Sequence, residues 1–147
     1  MAGAVVFKSN IGRLISATDE ALDRAAEIIG GMCESYAKEE VTAAVYDTPE
    51  TWYVRTGNLR NSISHATEEP HTVVVGATAE YAPYVELGTG IYAKDGKGRK
   101  NAWSYQDAEG NWHTTVGMPP RPFIRPAFEK HKSEFKQVLK TEANKIK

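Results

Sequence analysis

Between residue 18 and about residue 45, apolar residues recur at steps of three and four positions, and this period predicts one long amphipathic helix. The repeating positions are Leu22, Ala25, Ile29, Met32, Cys33, Tyr36 and Val41. Thr18 is the expected N-cap, because its hydroxyl can accept a backbone N–H and the two acidic residues after it suit the positive end of the helix dipole. Gly30 and Gly31 each weaken a helix by about 1 kcal/mol relative to alanine. We expect them to mark a bend or, more commonly, the close packing of another element.

Residues 62–77 alternate between apolar and polar side chains on either side of a polar turn, which predicts a β-hairpin. If residues 68–70 form the loop, Thr67 pairs with His71. One face of the ribbon then carries Ile63, His65, Val73 and Val75. The other face carries Ser62, Ser64 and Val74. We expect the first face to lie toward the core, since it is the more apolar one.

The stretch "AEYAPYVELGTG" that follows predicts a short helical turn ending in glycines, and residues 91–101 form a basic, glycine-containing loop. A second hairpin is expected from "AWSYQ" and "NWHTT" around "DAEG". A four-residue loop over 107–110 pairs Gln106 with Asn111 and Tyr105 with Trp112. This register predicts an aromatic cluster of Trp103, Tyr105 and Trp112 on one face.

Residues 118–128, "MPPRPFIRPAF", contain four prolines and two arginines. Prolines fix their own φ and push the preceding residues toward extended geometry, so we expect a stiff strut that delivers the last helix at a set angle. Arg121 and Arg125 on this strut can make forked hydrogen bonds to a carboxylate, with Glu86 as the expected partner of one of them, within or between subunits. Solvated arginines on a segment that only closes the fold are the alternative.

The last helix is expected over residues 126–146, with Pro126 in its first turn. Its apolar positions are Phe128, Phe135, Val138, Leu139 and Ile146. The element order indicates an α+β fold, in which an antiparallel sheet of two hairpins is covered on one face by the long N-terminal helix and the C-terminal helix. The length of 147 residues suits a single domain, 1–147, with residues 91–117 as a loop and hairpin extension.

Composition excludes several classes of protein. The chain has 18 Lys and Arg against 19 Asp and Glu, so its formal net charge of -1 offers no sequence-wide attraction for nucleic acid or anionic membranes. No stretch approaches the ~20 apolar residues of a membrane span, and the N-terminal residues lack a secretory signal pattern, so we expect a chain kept in the cytoplasm. Cys33, the one cysteine, is expected to be a buried, inert thiol.

No motif of catalysis or metal binding is present. Four histidines lie at positions 65, 71, 113 and 131 without ligand spacing, and neither a phosphate loop nor a nucleophile elbow occurs. We therefore expect no catalytic residue, no cofactor and no metal. A small hydrolase would need a pocket that joins His65 or His113 to a carboxylate.

The second hairpin and the basic loop suggest an alternative, a module that binds single-stranded nucleic acid. Bases would stack on Trp103, Tyr105 and Trp112 while cations face phosphate. Those cations are Lys94, Lys97, Arg99 and Lys100. Aromatic pairs also stabilise their own hairpins and glycine-rich cationic loops are commonly just solvated, so the structural explanation is favoured.

Three stretches together carry a family resemblance: "VRTGNLRNSI", "YAPYVELGTG" and "WSYQDAEGNWHTTVGMPPRPFIRPAF", in that order after a long helix. The chain resembles the minor structural proteins of long-tailed, lambdoid-type siphophages that act in head-tail joining and tail completion, the neck family. The matching residues of the first stretch are Arg55, Thr56, Gly57, Leu59, Arg60, Ser62 and Ile63. Those of the second are Tyr81, Ala82, Glu86, Gly88 and Thr89. Those of the third are Arg121, Pro122, Phe123, Arg125, Pro126 and Ala127.

The resemblance implies a virion protein without a catalytic centre, assembled in the bacterial cytoplasm and located at the head-tail junction. It implies a ring of identical copies, a hexamer, that contacts neighbouring neck, tail terminator or tail tube proteins while DNA passes through without sequence-specific contact. No membrane partner is implied. Head-to-tail contacts that close a ring need two different complementary surfaces on every copy, and sheet edges and projecting arms are natural suppliers of such surfaces.

Overall fold

The computed structural model of the chain describes residues 11–47 and 56–146. The helices are α1 (Ile11–Val41), α2 (Asn58–Asn61), α3 (Ala82–Leu87), α4 (Ile124–Glu129) and α5 (Lys132–Ala143). The strands are β1 (Ile63–Glu69), β2 (Thr72–Ala77), β3 (Trp103–Gln106) and β4 (Trp112–Thr115). A π-helical turn, Thr42–Tyr46, extends α1, and a 3-10 turn, Gly90–Tyr92, follows α3. The predicted α+β class is confirmed.

The long helix is confirmed, but the prediction that it begins at Thr18 is wrong. Its described part begins at Ile11, and the Thr18 hydroxyl donates to the Leu14 carbonyl at 2.8 Å. A threonine inside a helix can satisfy its hydroxyl on the preceding turn in this way, so a good N-cap residue type need not start a helix. At the other end, α1 stops at Val41, and the predicted end near residue 45 falls in the π-helical turn.

The first hairpin has the predicted faces but not the predicted register. β1 and β2 pair antiparallel with Ile63 opposite Ala77 and Thr67 opposite Val73, two residues away from the pairing of Thr67 with His71. A bulge between Thr67 and Glu69 and a left-handed His71, with φ of 62°, tighten the turn. Because the shift is even, each side chain keeps its face, and Ile63 is buried as expected.

The second hairpin differs from its prediction by one residue. Tyr105 pairs with His113 and Gln106 with Trp112, because Asp107 organises a longer turn in which its carboxylate accepts the N–H groups of Glu109 and Asn111. A one-residue slip moves a side chain to the other face. Trp112 therefore lies on the other face of the hairpin from Tyr105 and is 71% exposed, so the predicted aromatic cluster is wrong. His113 stacks on Tyr105 instead, with ring centroids 5.3 Å apart.

The C-terminal helix is two helices, α4 and α5, separated at Lys130 and His131. The His131 ring stacks on Tyr36 of α1 with centroids 3.5 Å apart, and Lys130 donates to Glu40 at 2.6 Å. These contacts fix the break against α1. The prediction of one continuous helix over 126–146 is wrong at this point, although Pro126 does lie in the first turn of α4.

α1 organises the molecule. It packs against both strands of the first hairpin and against α4 and α5. The buried core consists of Cys33, Ala37, Val41, Leu59, Ile63, Ala82, Val85, Phe123, Ala127 and Phe135. The hairpins form two separate two-stranded sheets, and no residue of β3 or β4 is buried. The second hairpin therefore stands outside the core that the other elements share.

Gly30 is the point of closest approach between α1 and the first hairpin. A Cβ there would lie 2.5 Å from Val73 Cγ2 and 2.8 Å from His65 Cδ2, whereas a Cβ on Gly31 would lie 3.8 Å from His65 Cε1. The expectation of close packing at this pair is confirmed for Gly30.

We expect Gly30→Ala to destabilise the protein by about 1–3 kcal/mol, because the overpacked contact outweighs the gain in helix propensity. Gly31→Ala is the matched control and should raise stability by up to about 1 kcal/mol. Urea denaturation of both variants measures the difference. Equal stabilisation by the two alanines would contradict the packing that we describe.

Candidate functional site

The second and third family motifs meet in one place, which we call the junction: residues 81–91 together with residues 116–126. Residues 89–91 run beside residues 116–118, with the Thr89 N–H donating to the Met118 carbonyl at 2.9 Å and the Ile91 N–H donating to the Val116 carbonyl at 3.0 Å. The Met118 N–H returns a hydrogen bond to the Thr89 hydroxyl at 2.9 Å. Motifs about 30 residues apart in sequence thus form one hydrogen-bonded unit.

Glu86 fastens the proline-rich strut to α3. Its carboxylate accepts the N–H groups of Phe123 at 2.6 Å, Ile124 at 3.0 Å and Arg125 at 3.2 Å. These are the first amide groups of α4, which Phe123 itself does not cap with a side chain. The carboxylate therefore performs the work of an N-cap from a distant part of the chain.

Every amide N–H between residues 118 and 125 is used. Prolines at 119, 120 and 122 have none, Arg121 donates to the Val85 carbonyl at 2.8 Å, and the others bond to Thr89 and Glu86 as described. The prolines of the strut fix φ and its remaining amides bond to Val85, Glu86 and Thr89. The prediction that it stays extended to Arg125 is wrong, because Ile124 and Arg125 belong to α4. The partners that Glu86 shows are backbone amides, so pairing of Glu86 with Arg121 or Arg125 stays a prediction.

Glycines allow the two halves of the junction to touch through their backbones. Gly88, Gly90 and Gly117 all have positive φ, of 79°, 61° and 123°. A Cβ on Gly90 would lie 1.9 Å from the Val116 carbonyl oxygen, and one on Gly117 would lie 2.2 Å from that of Thr89. No other residue fits these positions.

The first family motif folds beside the junction. Arg55 lies outside the described residues. Gly57, with φ of 77°, starts the short helix α2, whose Leu59 is 2% exposed and belongs to the core with Val85 and Phe123. Arg60 lies over the Tyr46 ring, and the Asn58 side chain donates to the Tyr81 hydroxyl at 3.4 Å. The structure therefore brings the described parts of all three motifs together around one core.

A second polar cluster, which the sequence analysis missed, joins the first hairpin to α1. Each of two hairpin histidines lies between two carboxylates of the helix. His65 Nδ1 is 2.6 Å from Glu34 and its Nε2 is 3.2 Å from Glu27. His71 Nδ1 is 3.1 Å from Asp23, its Nε2 is 3.2 Å from Asp19, and its backbone N–H also donates to Asp23.

The available signal for this cluster was the spacing of the acids. Positions 19, 23 and 27 are one helical turn apart and 34 follows after two turns, so all four lie on one face of α1. The hydrogen bond to Glu34, followed by that to Glu27, raises the pKa of His65 above its usual value. Hydrogen bonds from Lys38 and then His65 lower the pKa of Glu34.

The basic loop lies on the outside of the molecule. Lys94, Lys97, Arg99 and Lys100 are all exposed. Gly98 anchors the loop to the junction, since a Cβ there would lie 2.0 Å from the Gly90 carbonyl oxygen. Arg99 lies 5.6 Å from the Trp103 ring centroid, while Trp112 is on the opposite face of the hairpin. The three aromatic residues proposed for base stacking therefore do not form one platform.

Both histidines that the hydrolase alternative requires lie beside carboxylates. His65 contacts Glu27 and Glu34, and His113 Nε2 lies 2.7 Å from Asp107 Oδ2. The hydrogen bond with His113, followed by that from the Asn111 N–H, lowers the pKa of Asp107 to about 2. Both ring nitrogens of His65 are engaged by carboxylates, which leaves that ring no nitrogen for a substrate. A shallow groove of about 390 Å³ lies elsewhere, beside the π-helical turn, and is lined by Ser35, Lys38, Glu39, Thr42, Ala43, Asp47 and Arg60.

Cys33 is buried, as expected, and burial raises its thiol pKa. Within residues 11–47 and 56–146, no group of three or more His, Cys, Asp or Glu side chains is arranged to hold a metal ion. Across the same part of the chain, no helix combines the length and apolar character needed to cross a membrane.

Residues 6–88 match the family described as "Bacteriophage HK97-gp10, putative tail-component". The chain belongs to the HK97-gp10-like family. The matched region contains α1, the first hairpin and α3, and it ends at Gly88 of the junction. The predicted resemblance to structural proteins of tailed phages is confirmed, and as a family member the protein is a tail component with a structural role. Comparisons with curated proteins and with solved structures gave no match.

We expect Glu86→Gln to lower the free energy of unfolding by about 1–3 kcal/mol. The carboxylate accepts three backbone N–H groups on two charged oxygens, whereas the neutral amide of glutamine has only one acceptor oxygen. Glu80→Gln, an exposed change in the same segment, is the control and should stay within about 0.5 kcal/mol. Chemical denaturation checks both. Equal stabilities of the two variants would show that Glu86 does not fasten the strut.

The helix contact of His65 should depend on pH. Its raised pKa means that its contribution to stability is complete below the ordinary value of 6.5 and is lost as pH rises through the folded pKa. Glu34, with a lowered pKa, contributes above 4.5 and loses its contribution as pH falls through its folded pKa. The contact is therefore strongest between these two ordinary values.

NMR titration of the His65 ring should give a pKa above 6.5. Thermal unfolding of wild type should lose stability as the pH rises above 6.5 through the raised pKa of His65, and His65→Gln should flatten this dependence. A His65 pKa at or below its ordinary value would contradict the geometry.

Proposed function

We propose that this HK97-gp10-like protein acts at the head-tail junction of a tailed phage or prophage, where it completes the tail as a ring of identical copies, a hexamer, around the DNA path. It contacts the adjacent neck, tail terminator or tail tube proteins. Its role is structural and it makes or breaks no covalent bond. The virion is its location, after assembly in the host cytoplasm.

The junction carries this proposal. The residues of the second and third motifs use their polar groups on one another: Glu86 on the α4 amides and Thr89 on Met118. Catalytic residues are instead held ready for a substrate. These hydrogen bonds make the junction rigid and leave the second hairpin and the basic loop on the outside of the molecule. This arrangement suits a structural protein that works through contacts with neighbouring subunits.

Gene deletion with electron microscopy of the particles tests the role. Without the protein we expect unjoined heads and aberrant tails, because a completed tail end is needed for joining. A plasmid copy of the wild-type gene should restore joined particles. Normal infectious virions from the deletion strain would refute the proposal.

A structural role also predicts tolerance at the histidines that pair with carboxylates. His65→Gln and His113→Gln plasmid copies should both restore infectious particles to near the wild-type titre at 30 °C. If either variant folds and is incorporated into particles but heads and tails do not join, the histidine takes part in a reaction and the purely structural role is contradicted.

A further inference from the structure

β2 has an unpaired outer edge. The Thr78 N–H donates to the Ser62 carbonyl at 3.1 Å, which sets the alternation of the hairpin: even-numbered residues of β2 bond to β1, while Val73, Val75 and Ala77 direct their N–H and C=O groups away from it. No hydrogen bond within the described residues satisfies these outer groups. Such an edge is a template for another strand.

The outer edge of β1 differs, because one of its outward backbone groups is bonded to α1. The backbone N–H of His65 points away from β2 and donates to the Glu34 carboxylate at 3.2 Å. The same carboxylate binds the His65 ring. Within the described residues, a side chain of α1 thus bonds to an outward backbone group of β1 and none bonds to those of β2.

The second hairpin offers a strand of the right kind. It projects from the junction, none of its residues is buried, and Trp112 is 71% exposed on its outer face. The bond from the Asp107 N–H to the Asn111 carbonyl at 2.9 Å sets its alternation, so that Ser104 and Gln106 of β3 direct backbone groups outward. Two complementary strand surfaces thus occur on one chain.

Charge is divided between these surfaces. The first hairpin, residues 63–77, holds two glutamates, Glu68 and Glu69, and no lysine or arginine, and Glu80 follows β2. Residues 94–100, directly before the second hairpin, hold four cations and one aspartate. Glu68 at the turn of the first hairpin and Glu80 beyond the other end of β2 are exposed, as are Lys97 and Lys100 of the basic loop. Opposite charges on two separate surfaces favour contact between different copies in a head-to-tail order.

We propose that the open β2 edge of one copy receives the second hairpin of the next copy, with the basic loop of that copy against the acidic first hairpin. The partner is a second copy of this chain, and the contact is heterologous. The inference rests on the proposed ring and names the two surfaces that build it. Main-chain hydrogen bonds supply the register, and the charges supply the choice of partner.

A charge swap tests the surfaces. The loop variant carries Lys97→Glu and Lys100→Glu, and the hairpin variant carries Glu68→Lys and Glu80→Lys. Sedimentation and light scattering of full-length protein, alone and with isolated tails, should show self-association of wild type that weakens with salt. Each variant alone should associate at least about tenfold more weakly. An equimolar mixture of the two should associate again, because each attractive pair is then restored between unlike copies.

Ala77→Pro tests the strand edge, since it removes one outward N–H and leaves the bonds to β1 in place. Ala77→Ser keeps that N–H and is the matched control. We expect the proline variant to lose association while circular dichroism still shows the folded protein, and the serine variant to retain it. If proline unfolds the chain, the charge-swap mixture still decides the question.

The outcomes separate the two proposals. If the loop variant and the hairpin variant each form rings on tails as well as wild type does, the two surfaces named here are not the contact between copies. The proposed function would then remain intact. A wild-type chain that is monomeric both alone and on tails would overturn the inference together with the ring. Association restored in the mixture supports both.

Discussion

The fold depends on the contact of two backbones at the junction. Gly90 meets the Val116 carbonyl and Gly117 meets the Thr89 carbonyl at distances that exclude any side chain. This approach aligns α3 with the strut, which lets Glu86 reach the first amides of α4. α4 in turn brings Phe123 and Ala127 into the core beside α1. The absence of side chains at Gly90 and Gly117 thus determines where the C-terminal third of the chain lies.

α1 is held on its two sides by different physical interactions. Toward α4 and α5 it presents apolar residues and the Tyr36 ring, which stacks on His131. Toward the first hairpin it presents acids that enclose His65 and His71, with Gly30 making room for the strand. Both sides carry titratable contacts, since Arg24 of α1 donates to the buried Glu142 at 3.1 Å on the α5 side and His65 lies between Glu27 and Glu34 on the hairpin side. The attachment of the C-terminal helices and that of the hairpin therefore both depend on charged groups as well as on packing.

Periodicity predicted the helices and the faces of the first hairpin, because burial of one face imposes a period that survives small shifts in pairing. Register was not predictable, since it depends on turns that side chains remodel: the bulge near Glu69 in one hairpin and the Asp107 carboxylate in the other. The family motifs identified the residues of the junction, yet their bonding partners depend on contacts between distant segments. The spacing of the acidic residues that contact His65 and His71 shows in the sequence that they share one face of α1. It does not show that the first hairpin packs against that face.

The pairing of residues 89–91 with residues 116–118 places both ends of the intervening segment side by side. A segment closed in this way is topologically an insertion, and lengthening or shortening it adds only a slowly growing loop entropy to the rest of the chain. The body can consequently remain unchanged while this arm varies in reach and composition. A change in this arm can therefore alter which surface the protein offers to a neighbour without changing the packing of the body.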